Sequence, residues 1–381
     1  MPRPLARLVV ALCCSLCLAA HVPSARAAPT PAGGHAARSS RSVNQRSTGE
    51  VVSTHVSVRV RAIPWQRWTQ RPSPIFRGQY IASDPAVLRD GGLYRMVYTC
   101  YTLGAGTVGN KIRAALCEAT SRDGLHWTEL RTDPHTAGLI LMGSTGAWDE
   151  DLESAFLIKQ GGRYLLYYSG YRDIGHPFMG YPAALGLATS TDGVHFARRS
   201  MRPILAPTPG SYDGDAVYSP AITRLSDGSY VMIYAGHCYT RCTADLPGVV
   251  TLLAATSRDG ITWAKRPRPV LTRHAAPLAW IRDGVAEPGI LAGPHNRFSL
   301  YFTGLRDEAR VIGEAVSGGP FGPWVLNPRP IILPGPKGSW DDQVLAPDVH
   351  LEGRLMRMWF LGISAGSHFA IGYAESRSGQ G

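Results

Sequence analysis

Trp68-Thr69-Gln70-Arg71-Pro72-Ser73-Pro74-Ile75, near the front of the chain, parallels Trp263-Ala264-Lys265-Arg266-Pro267-Arg268-Pro269-Val270 in its second half. The later copy closes a longer unit, and that unit recurs. Five segments run through the same phrases. The first phrase opens a strand: Asp84-Pro85-Ala86-Val87, Glu153-Ser154-Ala155-Phe156, Ser219-Pro220-Ala221-Ile222, Glu287-Pro288-Gly289-Ile290 and Ala346-Pro347-Asp348-Val349. The second is an aromatic strand ended by Gly170, Gly236, Gly304 and Gly362 in four copies and by Cys100 in the first. The third is a small-residue strand ending in Ser121, Ser190, Ser257, Ser317 and Ser376. An Asp-Gly turn follows three times, at Asp123-Gly124, Asp192-Gly193 and Asp259-Gly260, where glycine takes positive φ without steric cost. Trp127, Phe196, Trp263 and Trp324 then open a fourth strand.

The fifth copy has no fourth strand before the chain stops, and the Trp68–Ile75 phrase supplies the missing piece from the other end. A ring of four-stranded blades closes in this way and loses its exposed sheet edge. The predicted architecture is therefore all-β, a five-bladed β-propeller over residues 51–381 with its N-terminal strand completing the last blade. An open β-sandwich explains neither the period nor the displaced strand. The inner-strand starts lie 153−84 = 69, 219−153 = 66, 287−219 = 68 and 346−287 = 59 residues apart, which places them at equivalent points around one funnel.

Composition agrees. The chain has 381 residues, 44% apolar and 18% charged, which excludes a disordered or fibrous protein. Arg3 and Arg7 precede the apolar stretch Leu8 to Ala20, and Ala25-Arg26-Ala27 has the small residues of a cleavage site, so 1–27 reads as a signal peptide and 28–50 as a disordered lead-in. Beyond it no apolar run reaches the roughly 20 residues of a membrane helix, so stable membrane insertion is not expected. The expected location is secreted or periplasmic. The net charge of +11 falls to +8 without Arg3, Arg7 and Arg26, and no nucleic-acid motif accompanies it. Cys100, Cys117, Cys238 and Cys242 remain in the mature chain, an even number for an oxidising compartment. Cys238 with Cys242, and Cys100 with Cys117, are the expected bridges; a zinc site is the rival, without paired CxxC spacing.

A repeat protein carries its own control: what differs at equivalent positions is not required by the scaffold. Trp148-Asp149, Tyr212-Asp213 and Trp340-Asp341 recur and read as scaffold. The strand starts Asp84, Glu153, Ser219, Glu287 and Ala346 do not recur. Three acids facing one funnel repel each other and lose hydration, so their pKa values should separate. That pairing of an ionised and a protonated carboxyl is what glycosidic cleavage needs; capping of strand ends or binding of one structural cation is the alternative. The loops after the second strand carry Tyr101, Tyr171-Arg172-Asp173, His237 with Tyr239 and Arg241, Arg306-Asp307 and His368, residues suited to sugar faces and hydroxyls.

Gly338-Ser339-Trp340-Asp341, the Pro-containing inner strand, Ile371-Gly372-Tyr373-Ala374 and the Ser-Arg-Asp-Gly-x-x-Trp turns resemble the five-bladed glycoside hydrolases of families 43, 32, 68, 117 and 130, over about Trp65 to Ser376. The resemblance to family 43 implies Asp84 as general base and Glu153 as the acid that orients. The general acid falls on Glu287 in the fourth blade, because the third offers Ser219. Asp215 or His237 could replace the missing third-blade acid; family 117 is similar in using a histidine. The expected function is a glycoside hydrolase of inverting type, with Tyr171, Arg172, Asp215, His237, Arg306 and His368 contacting a carbohydrate. The alternatives are a phosphorylase resembling family 130, with Arg172, Arg241 and Arg306 holding phosphate, and a non-catalytic carbohydrate-binding propeller. No cofactor is expected to be required; propellers of this kind commonly hold a structural calcium, although no dedicated loop is present.

Overall fold

The computed structural model describes residues 65–102, 113–133, 136–172, 182–242, 249–364 and 368–377. The expected signal peptide, the lead-in and Asp173 lie outside them. The regular secondary structure of the described chain is strand, apart from two single-turn 3-10 segments at Ala279–Ile281 and Pro294–Asn296. None of its helices is long and apolar enough to cross a membrane.

A short strand, β1 (Thr69–Gln70), precedes the first unit of β2 (Ser83–Asp90), β3 (Leu93–Thr102), β4 (Arg113–Ser121) and β5 (Thr128–Glu129); β6 (Leu139–Met142) then adds to β4. The second unit is β7 (Asp151–Gln160), β8 (Arg163–Tyr171), β9 (Ala183–Ser190) and β10 (Ala197–Arg198). The third is β11 (Ala216–Arg224), β12 (Tyr230–Cys238), β13 (Val249–Ser257) and β14 (Ala264–Lys265). The fourth is β15 (Gly284–Ala292), β16 (Phe298–Arg306), β17 (Ala309–Ser317) and β18 (Val325–Leu326). The fifth is β19 (Gln343–Glu352), β20 (Leu355–Ile363) and β21 (Phe369–Arg377). Strands within a unit are antiparallel neighbours, and single parallel bridges, Ala183↔Ala216 and Val250↔Gly284, join units two to three and three to four. β1 pairs with β21, Thr69 opposite Glu375, as the Trp68–Ile75 phrase predicts.

The recurring Trp-Asp and Tyr-Asp pairs are structural. Asp149 accepts from Tyr168 Oη at 2.9 Å and Arg198 Nε at 2.6 Å; Asp213 accepts from Tyr234 Oη at 3.1 Å and is ion-paired to Lys265. Asp341 accepts from Gln70 Nε2 at 2.8 Å. Gln70 on β1 thus does for unit five what Arg198 and Lys265, from the fourth strands, do for units two and three. The rings of Trp148, Trp280 and Trp340 lie against Gly170, Gly304 and Gly362, where a Cβ would come within 2.9, 2.4 and 2.5 Å of the indole. Among the described residues, unit one has no indole recorded at this place. There Cys100 stands at the equivalent glycine position and is bonded to Cys117, which faces Tyr98 as Gly186, Gly313 and Gly372 face Tyr168, Phe302 and Phe360.

The Asp-Gly turns lock neighbouring units. The Gly193 and Gly260 carbonyls accept from Arg95 and Tyr167 of the preceding units. The Gly124 carbonyl accepts from Trp359 Nε1 of unit five at 2.9 Å.

Candidate functional site

Every inner strand breaks its pairing at one place. The ladder skips two residues between Ser83 and Ala86, Glu153 and Phe156, Tyr218 and Ala221, Ala286 and Gly289, and Leu345 and Asp348. The first skipped residue has positive φ in all five: Asp84 49°, Ser154 45°, Ser219 51°, Glu287 47° and Ala346 48°. None is glycine, so five copies of a costly conformation are held by the surrounding sheets. A bulge of this kind re-aims side chains. It turns the bulge residue of units one to four, and the residue before it in units one, two, three and five, into one cavity.

This register corrects the sequence alignment in unit two. The residue equivalent to Asp84 is Ser154, and Glu153 stands one place earlier, level with Ser83, Tyr218, Ala286 and Leu345. Unit two lacks the proline that marks the position elsewhere, and its charge drew the alignment to Glu153. Glu153 still lines the cavity, where its Oε1 accepts from Tyr171 Oη at 2.8 Å.

The cavity encloses about 50 Å³ on the side of the second-strand ends, lined by Asp84, Glu153, Ser154, Tyr218, Ser219, His237, Glu287 and the apolar Leu345, Leu361, Ile363 and Phe369. A smaller cavity of about 30 Å³ lies on the proline side and shares Asp84, Ser154, Ser219 and Glu287. The bulges form the waist between the two.

Asp84 Oδ2 accepts from Thr99 Oγ1 and Ser83 Oγ, both at 3.1 Å. Burial raises its pKa, and the hydroxyls of Thr99, Ser83 and Ser154 pull it back. Glu287 is buried, and its Oε2 accepts from Thr303 Oγ1 at 2.6 Å and from the Ala346 N–H at 3.1 Å. Burial first, then the Asp84 charge, pushes Glu287 up to about 7. A charge on Asp84 therefore disfavours a second charge on Glu287. Thr99 and Thr303 hold equivalent places on β3 and β16, opposite Ser83 and Ala286. Each also accepts the N–H of the next unit's bulge residue, Ser154 or Ala346, at 3.1 Å. Sequence reasoning missed both threonines; their signal was a hydroxyl recurring at one strand position.

Of the remaining expected contacts, Tyr171 and His237 are buried at this end, with His237 5.3 Å from the Tyr218 ring, centroid to centroid. Burial holds the His237 imidazole down to about 3, so it is neutral at ordinary pH and is no imidazolium acid. Asp215 is not in the cavity lining. Its carboxylate clamps the turn after β12, accepting from the Tyr239 and Thr240 N–H groups at 2.5 and 2.7 Å and from Thr240 Oγ1 at 2.5 Å. It is therefore not the missing third-unit acid. Arg172 is ion-paired with Glu150 at 3.2 Å, and Arg306 lies 3.7 Å from Asp307; neither lines the cavity. His368 is exposed beside Ser364 and does not line it, although its neighbour Phe369 does. Cys238 and Cys242 are bonded, Cα atoms 5.5 Å apart, bracketing the Tyr239–Arg241 turn. Asp215, Cys238 and Cys242 are grouped closely enough to hold a metal, but the bridge leaves no thiolate to ligate one.

No protein-family model matches the chain. An uncharacterized protein of Mycobacterium tuberculosis is 26% identical over 188 residues, 49% of this chain and 57% of that protein's length. The matched stretch thus spans little more than half of the relative. A solved glycoside hydrolase aligns over 81% of this chain and 92% of its own, with a TM-score of 0.61 and 18% identity. A thermostable family-43 glycoside hydrolase covers 77% and 88%, with a TM-score of 0.58 and 16% identity. A β-1,2-mannobiose phosphorylase from Listeria innocua covers 81% and 96%, with a TM-score of 0.61 and 14% identity. The chain has the β-propeller fold on which glycoside hydrolases, family 43 among them, and glycoside phosphorylases are built.

Proposed function

We propose that the chain is an exported glycoside hydrolase, a five-bladed propeller closed by β1, which cleaves a poly- or oligosaccharide by an inverting route. The observation that carries this reading is the pairing of Asp84 with Glu287: carboxyls at equivalent bulges of different units, sharing one cavity, with the charge of one raising the pKa of the other. Glu287, protonated up to about pH 7, gives its proton to the leaving oxygen. Asp84, as the carboxylate, takes a proton from a water molecule whose oxygen bonds to the anomeric carbon as the glycosidic C–O bond breaks. Glu153, fixed by Tyr171, sets the field and orientation around them. His237, neutral, offers a nitrogen to sugar hydroxyls.

Phosphorolysis finds less support, because Arg172 and Arg306 are engaged with Glu150 and Asp307 away from the cavity. A binding-only propeller is disfavoured by the buried, coupled acids, which binding alone does not need. The test is a panel of plant and bacterial glycans, with released sugars and their anomeric configuration read by NMR. Release with inversion, lost by at least about a thousandfold in Asp84→Asn and Glu287→Gln, is expected. Phosphate-dependent release, retention of configuration, or binding without release would overturn the corresponding part of the reading.

A further inference from the structure

We infer that the sugar unit seated between Asp84 and Glu287 presents an apolar position, deoxygenated or O-methylated, to a wall made by Leu345, Leu361, Ile363 and Phe369. The inference rests on reading the cavity as a glycoside site and goes on to name the substrate's class.

Unit five lies directly between the unit that bears Glu287 and the unit that bears Asp84. Its Ala346 N–H reaches Glu287 Oε2 at 3.1 Å, and its Asp348 Oδ2 takes the Val87 N–H of unit one at 2.6 Å. Whatever spans Asp84 and Glu287 therefore passes over the unit-five wall. The other units show what the scaffold permits at the same places. Opposite the residue before the bulge, the second strand carries Thr99, Ser169 and Thr303 in units one, two and four, but Ala235 in unit three and the larger Leu361 in unit five. Two residues on, Tyr101, Tyr171 and His237 in units one to three give way to Leu305 in unit four and Ile363 in unit five, and of these two only Ile363 lines the cavity. Before the bulge, Ser83, Glu153 and Tyr218 in units one to three give way to Ala286 in unit four and Leu345 in unit five, and of these two only Leu345 lines the cavity. The blade does not require apolar residues there, yet unit five has one at every place. Leu345, Leu361 and Phe369 also pack on Ile81 and Tyr101 across the seam to unit one, which fixes the wall rigidly. A sugar hydroxyl pressed against it gives up water and gains no partner, a penalty of roughly tenfold to a hundredfold in affinity. A methyl or methylene there is favoured instead.

Methyl thioglycosides, which resist hydrolysis, allow binding to be read without turnover. Matched pairs of glucose and galactose with their 6-deoxy and O-methyl counterparts, both anomers, are titrated into the full mature chain and followed by NMR. In at least one pair the deoxy or O-methyl member should bind about tenfold or more tightly. Leu361→Thr, which installs the residue of units one and four, should bring that ratio near one. Equal binding in every pair, preference for the hydroxylated members, or no binding at all overturns the inference. If Leu361→Thr does not fold, the ratios on the unaltered chain still decide. Cleavage of the matching O-glycosides is assayed separately. Preference without sugar release sinks the hydrolase reading and leaves the wall's selectivity intact; release without preference does the reverse.

Discussion

Thr303 illustrates how much one hydroxyl can set. It donates to Glu287 and so favours the ionised carboxylate, opposing the upward push of burial. Thr303→Val should remove that restraint and move the basic limb of the pH–rate profile upward by about one pH unit, while Thr303→Ser keeps the limb in place. A limb unmoved in the valine variant would show that Glu287 does not govern it. Neither the threonines nor the bulge could be located from residue identities alone. The proline after Asp84, Ser219, Glu287 and Ala346 marks the position in four units. In unit two only the pairing of Glu153 with Ser169 identifies Ser154 as the fifth.

Among elements, the two bridges should behave differently. Cys100–Cys117 spans 17 residues and fills the place that Trp148, Trp280 and Trp340 fill in three other units. Replacing both cysteines by alanine should cost about 3 kcal/mol from lost chain restraint, lowering the thermal midpoint by about 5–10 °C. Cys238–Cys242 spans only 4 residues, and Asp215 already clamps the same turn. Its removal should shift the midpoint by less than half as much, and equal shifts in calorimetry would contradict this assignment. The strand pattern, the turns and the Trp-Asp scaffold were all legible beforehand, because each repeats at a fixed offset. The exchange of an indole for a disulfide was not, because it replaces one residue type by another in a space only the fold defines.

For the whole molecule, β1 is the test of the ring. Gln70 supplies the partner for Asp341, and Trp68 packs edge-on against Tyr301 at 5.9 Å. A chain beginning at residue 77 should expose the edge of β21 and aggregate, visible as loss of the monomer peak in size-exclusion chromatography. Stability should also depend on pH. Burial pushes Glu118, Glu287 and Glu314 each up to about 7 from 4.5, so the folded state binds extra protons between those values. Their contribution is present below pH 4.5 and lost as pH rises through 7. His350, raised above 6.5, acts in the same sense near neutrality. His237, held down to about 3, opposes them between 3 and 6.5, one group against three. The thermal midpoint should therefore be higher at pH 5 than at pH 8; the reverse order would refute the balance.

The sequence by itself determined the repeat, the displaced first strand and the gathering of chemically distinct residues on one axis, because periodic strands and Asp-Gly turns are local features that a linear pattern records. The tertiary structure decided which residues meet there. Whether Asp215 faces sugar or a loop amide, whether His237 holds a proton, and that Ser154 rather than Glu153 matches Asp84 all depend on burial and cross-strand register, which arise only when distant segments pack together.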